Sequence, residues 1–273
     1  MSYANFKPTI WSKQIQFDLP KFMVFKDMCN TNFQGEAGKG KRVKIIGAAR
    51  PTVSKYVPGS DIATRETPAD TSIYLDIDQY DSVNYGVEDI DAAQSDINIL
   101  SAFMGEQSIS YAESADTYIS GIVAAGLNRV TKTVAVTTAA LAKTAIDDAF
   151  VTLWDAGVPV SAETYIILTP WFYNLFKDKL TELYTNNVEL LRKGIVGQYN
   201  GAFVKMTNNI TNDGTYDNLC IAAKNAVSFA SGIQDLEAYR PEKSFEDAIK
   251  GLHTYGSKIV RPKEIVTLQV KKS

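Results

Sequence analysis

The most regular hydrophobic pattern in the chain covers residues 87–128, which lack proline and place apolar side chains at 90, 93, 97, 100, 104, 111, 115, 118 and 122. Steps of three, four or seven put these positions on one stripe of a helix. Asp91, with Gln94 three residues on, forms a capping-box-like start, and the stretch from Gly126 to Asn128 offers a left-handed stop. At 1.5 Å per residue, about 37 residues make a rod of roughly 55 Å. Gly105, Gly121, Gly126 and the long step from 104 to 111 suit packing on a sheet better than a heptad seam.

Ahead of the rod the period is two. Residues 41–47 alternate with Val43 and Ile45 on one face, and residues 72–87 alternate through Ile73, Leu75 and Ile77, then Val83, Tyr85 and Val87. Between them, residues 50–69 hold Pro51, Pro58, Gly59 and Pro68, a connection too long for a simple hairpin. Residues 35–86 therefore read as a two-stranded finger projecting from the body. Isolated hairpins are marginal in water, so such a finger is expected to lie on a neighbouring molecule. Residues 1–34 carry Trp11, Phe17, Phe22, Phe25 and Phe33, interrupted by Pro8 and Pro20. Disordered leaders are poor in aromatics, which makes an arm lying across another surface the expectation here.

Behind the rod, residues 138–156 predict an amphipathic helix with Leu141, Ala145, Phe150 and Trp154 inward, Thr138 as its cap and Gly157 and Pro159 as its stop. A short buried strand follows at 165–168. A second helix opens with Pro170 at its first position and runs to about residue 180. Residues 187–193 predict a third, short helix. Strands at 203–206, 219–223 and 227–230 surround a loop at 208–218 that turns at Asp213-Gly214. Strands alternating with helices describe a compact α/β or α+β unit. The C-terminal segment returns to strands at 236–240, 250–255, 258–261 and 265–270, the natural sheet for the rod to pack on.

Composition narrows the function. The 273 residues allow one or two domains, and 45% hydrophobic with 22% charged residues describe a soluble globular protein. A net charge of −3 argues against a basic nucleic-acid binder, although a weakly acidic protein can still enclose DNA. Cys29 and Cys220 lack metal-ligand spacing; free thiols in a reducing compartment fit them, and a disulfide stays open. No secretory signal and no apolar run of roughly 20 residues is present, so a cytosolic chain without a membrane span is expected.

Candidate chemistry is thin. Residues 35–42 imitate the Walker spacing, but Arg42 stands where Ser or Thr must reach magnesium, and a strand rather than a helix follows. His253 is the sole histidine, which excludes histidine triads and multi-histidine metal sites; beside Tyr255 it reads as structural. Asp76 with Asp78, and Asp89 with Asp91, are acidic pairs, the first of which reads as the solvated edge of a strand. No catalytic, cofactor-binding or metal-ligating residue is assigned, and no cofactor.

The order of these elements resembles one family, the major capsid proteins of tailed double-stranded-DNA phages with the Hong Kong ninety-seven fold. The resemblance is carried by Thr9-Ile-Trp-Ser-Lys13, by Val43-Lys-Ile-Ile46 with Pro51-Thr-Val53, and by Leu75-Asp-Ile-Asp-Gln79 leading to Tyr85-Gly-Val-Glu-Asp-Ile-Asp91-Ala-Ala-Gln94. Lys250-Gly-Leu-His-Thr-Tyr-Gly-Ser-Lys258-Ile-Val-Arg-Pro262 completes it. It implies an α+β fold with an N-terminal arm at 1–34, an extended β-hairpin loop at 35–86, a peripheral domain at 87–130 and 233–273 with the rod as its spine helix, and an α/β axial domain at 131–232. It also implies a structural, non-enzymatic coat protein. Its copies would assemble as hexamers and pentamers into an icosahedral shell that encloses the genome without sequence-specific binding. The shell would be built in the host bacterial cytoplasm and used in the virion capsid, with a portal as partner. The arm starts within a few residues of Met1, with no helical, charged segment ahead of it, which favours a separate scaffolding protein over a matured form. Some relatives cross-link a loop lysine to a neighbour's asparagine; Lys55 lies in the loop, but nothing identifies its partner. Two other readings compete: a bacterial nanocompartment shell with a protein cargo, and an α/β enzyme binding a nucleotide at residues 35–41.

Overall fold

The computed structural model describes residues 23–33, 42–47, 52–56, 58–59, 61, 72–88, 98–126, 128–131, 135–183, 197–243 and 246–272. Three sheets and three helices organise them. A mixed six-stranded sheet has the order β4-β11-β8-β5-β7-β6, built from β4 (Asn128–Thr131), β5 (Thr164–Leu168), β6 (Gln198–Tyr199), β7 (Ala202–Met206), β8 (Asp217–Ala223) and β11 (Ile265–Val270). An antiparallel three-stranded sheet has the order β3-β10-β9, from β3 (Gln79–Glu88), β9 (Val227–Tyr239) and β10 (Glu246–Ile259). The third is a two-stranded pair of β1 (Arg42–Ile45) and β2 (Ile73–Asp76).

Helix α1, Asn98–Ala124, is the rod. Its 27 described residues span about 40 Å at 1.5 Å per residue. It packs on β10, β8 and β11, so it meets the returning C-terminal strands as the pattern predicts, and the six-stranded sheet as well. The stop falls in the expected place but not by a left-handed cap: neither Gly126 nor Asn128 has a positive φ, the Gly126 amide donates to the Val123 carbonyl at 2.9 Å, and β4 begins at Asn128.

The start and the stripe differ from expectation. Val87 and Glu88 belong to β3, so the rod does not begin at 87. Asp91, Gln94, Ile90, Ala93 and Ile97 lie outside the described residues. The buried face runs through Ser108, Tyr111, Ala112, Ala115, Asp116, Ile119, Ser120 and Val123, whereas Tyr118 and Ile122 are half-buried. The stripe is rotated by about one residue because Asp116 and Ser120 are buried with hydrogen-bond partners, and a purely apolar count skips them.

Helix α2, Ala139–Asp155, begins at Thr138, whose side chain accepts the Leu141 amide at 3.3 Å. It ends in a Schellman arrangement: Gly157, at φ +91°, donates to Trp154 at 2.8 Å, and Val158 donates to Leu153 at 3.3 Å. The inward face is Ala142, Ala145, Ile146, Ala149, Phe150 and Leu153. Leu141 and Trp154, predicted inward, are 42% and 37% exposed. Three alanines bring the helix close to its support and leave the larger side chains at the margins. Helix α3, Pro170–Leu183, starts on its proline and buries Phe172 and Phe176. The short helix predicted at 187–193 lies outside the described residues.

The six-stranded sheet is sandwiched. Strand alternation turns Cys220 and Thr267 toward α1 and the 3-10 helix Phe25–Met28, and turns Ile221, Val266 and Leu268 to the opposite face, where α2 packs. Residues 227–239 form one strand and 246–259 another, each longer than the pieces read from the sequence.

Within the segment read as a finger, β1 and β2 pair antiparallel, with Arg42 opposite Asp76 and Ile45 opposite Ile73. The run 72–87 breaks at Ile77–Asp78, and β3 leaves to pair with β10. The inner face of the pair, Val43, Ile45 and Leu75 with Ile77, forms a small second core with Ala230, against which Phe33 and Val260 pack. A Cβ at Gly256 would overlap the Asp76 carbonyl oxygen, so glycine lets the hairpin settle on β10. Of the segment read as an arm, residues 23–33 are described. Here Met23, Phe25, Met28 and Cys29 are buried in the subunit's own main core rather than on another molecule. Trp11, Phe17 and Phe22 lie outside the described residues.

Candidate functional site

Among the described residues no three His, Cys, Asp or Glu side chains stand where they could hold a metal ion. No helix there is long and apolar enough to cross a membrane. Of the Walker-like segment, residues 35–41 lie outside the described residues; Arg42 opens β1, pairs with Asp76 and stacks over Tyr74 at 5.2 Å. Asp76 and Asp78 are not brought together on one partner: Asp78 instead accepts the Tyr118 hydroxyl at 3.0 Å. Asp89 and Asp91 lie outside the described residues. Lys55 is exposed.

Both cysteines are free and buried, and the Cys220 thiol points at Met28 Sδ, 3.7 Å away. Burial pushes Cys220 up to about 12 and raises Cys29 as well, so neither is a nucleophile at neutral pH. His253 is 1% exposed, stacked on Tyr255 at 4.9 Å and tilted against Tyr111 at 5.4 Å, with no hydrogen-bond partner at either ring nitrogen. Burial lowers it to about 4. It is a neutral core residue at physiological pH, as its isolation in the sequence predicts.

What the structure does build is a junction along α1. Asp116, fully buried, accepts the backbone amides of Val24 at 2.8 Å and Phe25 at 3.3 Å. Burial pushes its carboxyl up to about 6, opposed by those two amides and by the Asn209 side chain. One turn later the Ser120 hydroxyl lies 2.8 Å from Thr211 Oγ1 and accepts the Thr211 amide at 2.8 Å. The Thr267 hydroxyl donates to the Val123 carbonyl at 2.8 Å, a second donor beside the Gly126 amide at the helix end. On the other side, Tyr255 donates to Asp81 at 2.9 Å and contacts Ser114 at 3.1 Å, and burial pushes its hydroxyl up to about 12. The rod therefore joins the N-terminal segment, both larger sheets and the β7–β8 loop through specific polar bonds. Sequence reasoning missed Asp116 and Ser120. The available signal was their spacing, since 112, 116 and 120 fall on one helix face with the small and apolar residues.

Around this junction the surface carries large apolar side chains in and near the hairpin: Ile46, Val53, Tyr56 and Tyr74 are 78%, 95%, 62% and 45% exposed. The hairpin docks one face, and its other face carries Arg42, Lys44, Tyr74 and Asp76, a mixed charged and aromatic surface with Ile46 exposed at its end.

Residues 46–268 match the family described as "Phage capsid protein". The chain belongs to that family. Its fold agrees. Mycobacterium phage Che8 matches at 26% identity and a TM-score of 0.76, covering 90% of each chain. The capsid of Cyanophage P-SCSP1u matches at 15% identity and a TM-score of 0.74, covering 92% of this chain and 89% of the other. A virus-like particle from Pyrococcus furiosus matches at 14% identity and a TM-score of 0.60, over 95% and 98% of the two chains, and shares the fold alone. No curated protein matches by sequence. The chain is a major capsid protein, a structural subunit of the oligomeric shell of the virion. As a capsid protein it needs contact surfaces, and the hairpin's open face with Tyr74 and the neighbouring Ile46 offers one.

Proposed function

We propose that copies of this capsid protein assemble as hexamers and pentamers into an icosahedral shell around double-stranded phage DNA, with the Hong Kong ninety-seven subunit plan. Residues 1–34 act as the arm, 35–86 as the extended loop, 87–130 with 233–273 as the peripheral domain and 131–232 as the axial domain. A separate scaffolding protein and a portal act in assembly, which takes place in the host bacterial cytoplasm. The observation that carries this reading is the hairpin, whose inner face has a core of its own while Ile46 and Tyr74 stay open. Head-to-tail contacts close copies into rings, and an element with one docked and one open face supplies a surface for them. The DNA is enclosed without specific contacts, which suits a chain of net charge −3.

Deleting residues 50–69 tests the loop's part. The expected product is a folded, soluble subunit that forms no closed particles in electron micrographs. Closed particles of normal size from the deletion would contradict it.

A further inference from the structure

The N-terminal segment enters the subunit through the 3-10 helix Phe25–Met28, and the first turn of that helix has no cap of its own. Val24 occupies the N-cap position and its side chain makes no capping bond. The cap comes from 92 residues away: Asp116 Oδ2 accepts the Val24 amide at 2.8 Å, and Asp116 Oδ1 accepts the Phe25 amide at 3.3 Å. Both carboxylate oxygens are spent on these two amides, an arrangement in which a charged acceptor replaces the water that the buried N–H groups lack.

The other end of the same segment is held differently. The Asn30 amide donates to Val227 at 2.7 Å, the Phe229 amide donates to Asn30 at 3.0 Å, and the Asn225 amide donates to Met28 at 3.1 Å. Residues 28–30 are thus sewn to the start of β9 by backbone, independent of Asp116. Apolar burial of Phe25, at 0% exposure, holds the segment in place but does not orient its backbone. Orientation at Val24 falls to the carboxylate.

We infer that Asp116 is the positioning residue of the N-terminal arm: together with the buried Met23 beside it, it fixes where the segment is seated on the helix, and the arm's contacts with a neighbouring copy depend on that seat. This rests on the shell reading for its consequence and on the clasp geometry for its cause. One turn on, Ser120 accepts the Thr211 amide at 2.8 Å, so the same helix face holds the N-terminal segment and the β7–β8 loop.

The test compares wild type, Asp116→Asn and Asp116→Leu as full-length chains, with two measurements. Amide hydrogen exchange on unassembled subunits should rise at least about tenfold at Val24 and Phe25 in Asp116→Leu, because each loses a bond to a charged acceptor. Amides in β8 and β11 should keep their protection, and Asp116→Asn, which retains one acceptor oxygen, should fall between. Electron micrographs should show fewer closed particles in the order wild type, Asp116→Asn, Asp116→Leu. Unchanged exchange at the two amides overturns the clasp. So does an equal loss of protection across β8 and β11, which makes Asp116 a general core residue. Raised exchange with wild-type particle yield overturns the positioning role. Wild type that forms no particles refutes the shell reading, while the exchange data still decide the clasp.

Discussion

Two buried ionisable residues lie along the rod's packing surfaces and pull stability in opposite directions with pH. His253 is lowered to about 4 from 6.5 by burial, helped by Lys26 and opposed by Asp81. Its contribution is whole above pH 6.5 and is lost as pH falls through 4, about 3 kcal/mol at most. Asp116 is raised to about 6 from 3.8 by burial, with Asp27 adding to the rise. Its contribution is whole below pH 3.8 and is lost as pH rises through 6, again about 3 kcal/mol at most. In the wild type the two offset each other between pH 4 and 6. In His253→Phe, denaturant unfolding should report stability increasing on acidification through that window; in Asp116→Asn it should report a decrease. A decrease in His253→Phe would contradict the assignment. Gly256→Val gives a residue-scale check on the hairpin. A side chain there meets the Asp76 backbone, so it should cost roughly 1–3 kcal/mol in chemical unfolding and loosen the β1–β2 pair. A stability equal to wild type would mean that the hairpin is not seated on β10.

At the scale of elements, both ends of α2 and the start of α3 were legible, whereas the start of α1 and the helix faces were not. The cap at Thr138, the stop at Gly157 and the proline start of α3 depend on local chemistry that any reader of the sequence can see. Thr138→Ala should accordingly cost about 1 kcal/mol in thermal or denaturant unfolding, and no loss would show that the cap is idle. Faces depend on what packs against them. The α2 face is set by Ala142, Ala145 and Ala149, small residues that a search for large apolar ones passes over. The α1 face is set in part by Asp116 and Ser120, whose partners at Val24, Phe25 and Thr211 lie about 90 residues distant in sequence. The division of 72–87 into β2 and β3 was likewise hidden, because both halves alternate and only their partners, β1 and β10, differ. Of the candidate residues, the structural reading of His253 was legible, since it lies buried against Tyr255 as its place beside that tyrosine suggests.

The whole molecule is a spine helix bonded to two sheets, with a hairpin and an N-terminal segment attached at opposite kinds of anchor. The hairpin has its own small core, and its removal should leave the main core intact. The N-terminal segment, by contrast, contributes Phe25 and Met28 to the main core, so a chain starting after residue 30 should lose several kcal/mol and aggregate rather than merely fail to assemble. A soluble, cooperatively unfolding product of that truncation would contradict this division. Self-assembly is the claim on which the rest depends. Negative-stain electron microscopy of the purified full-length protein tests it most directly. Closed, uniform particles built of this chain are the predicted result; a field of dispersed single subunits under every assembly condition, scaffolding protein included, would contradict it.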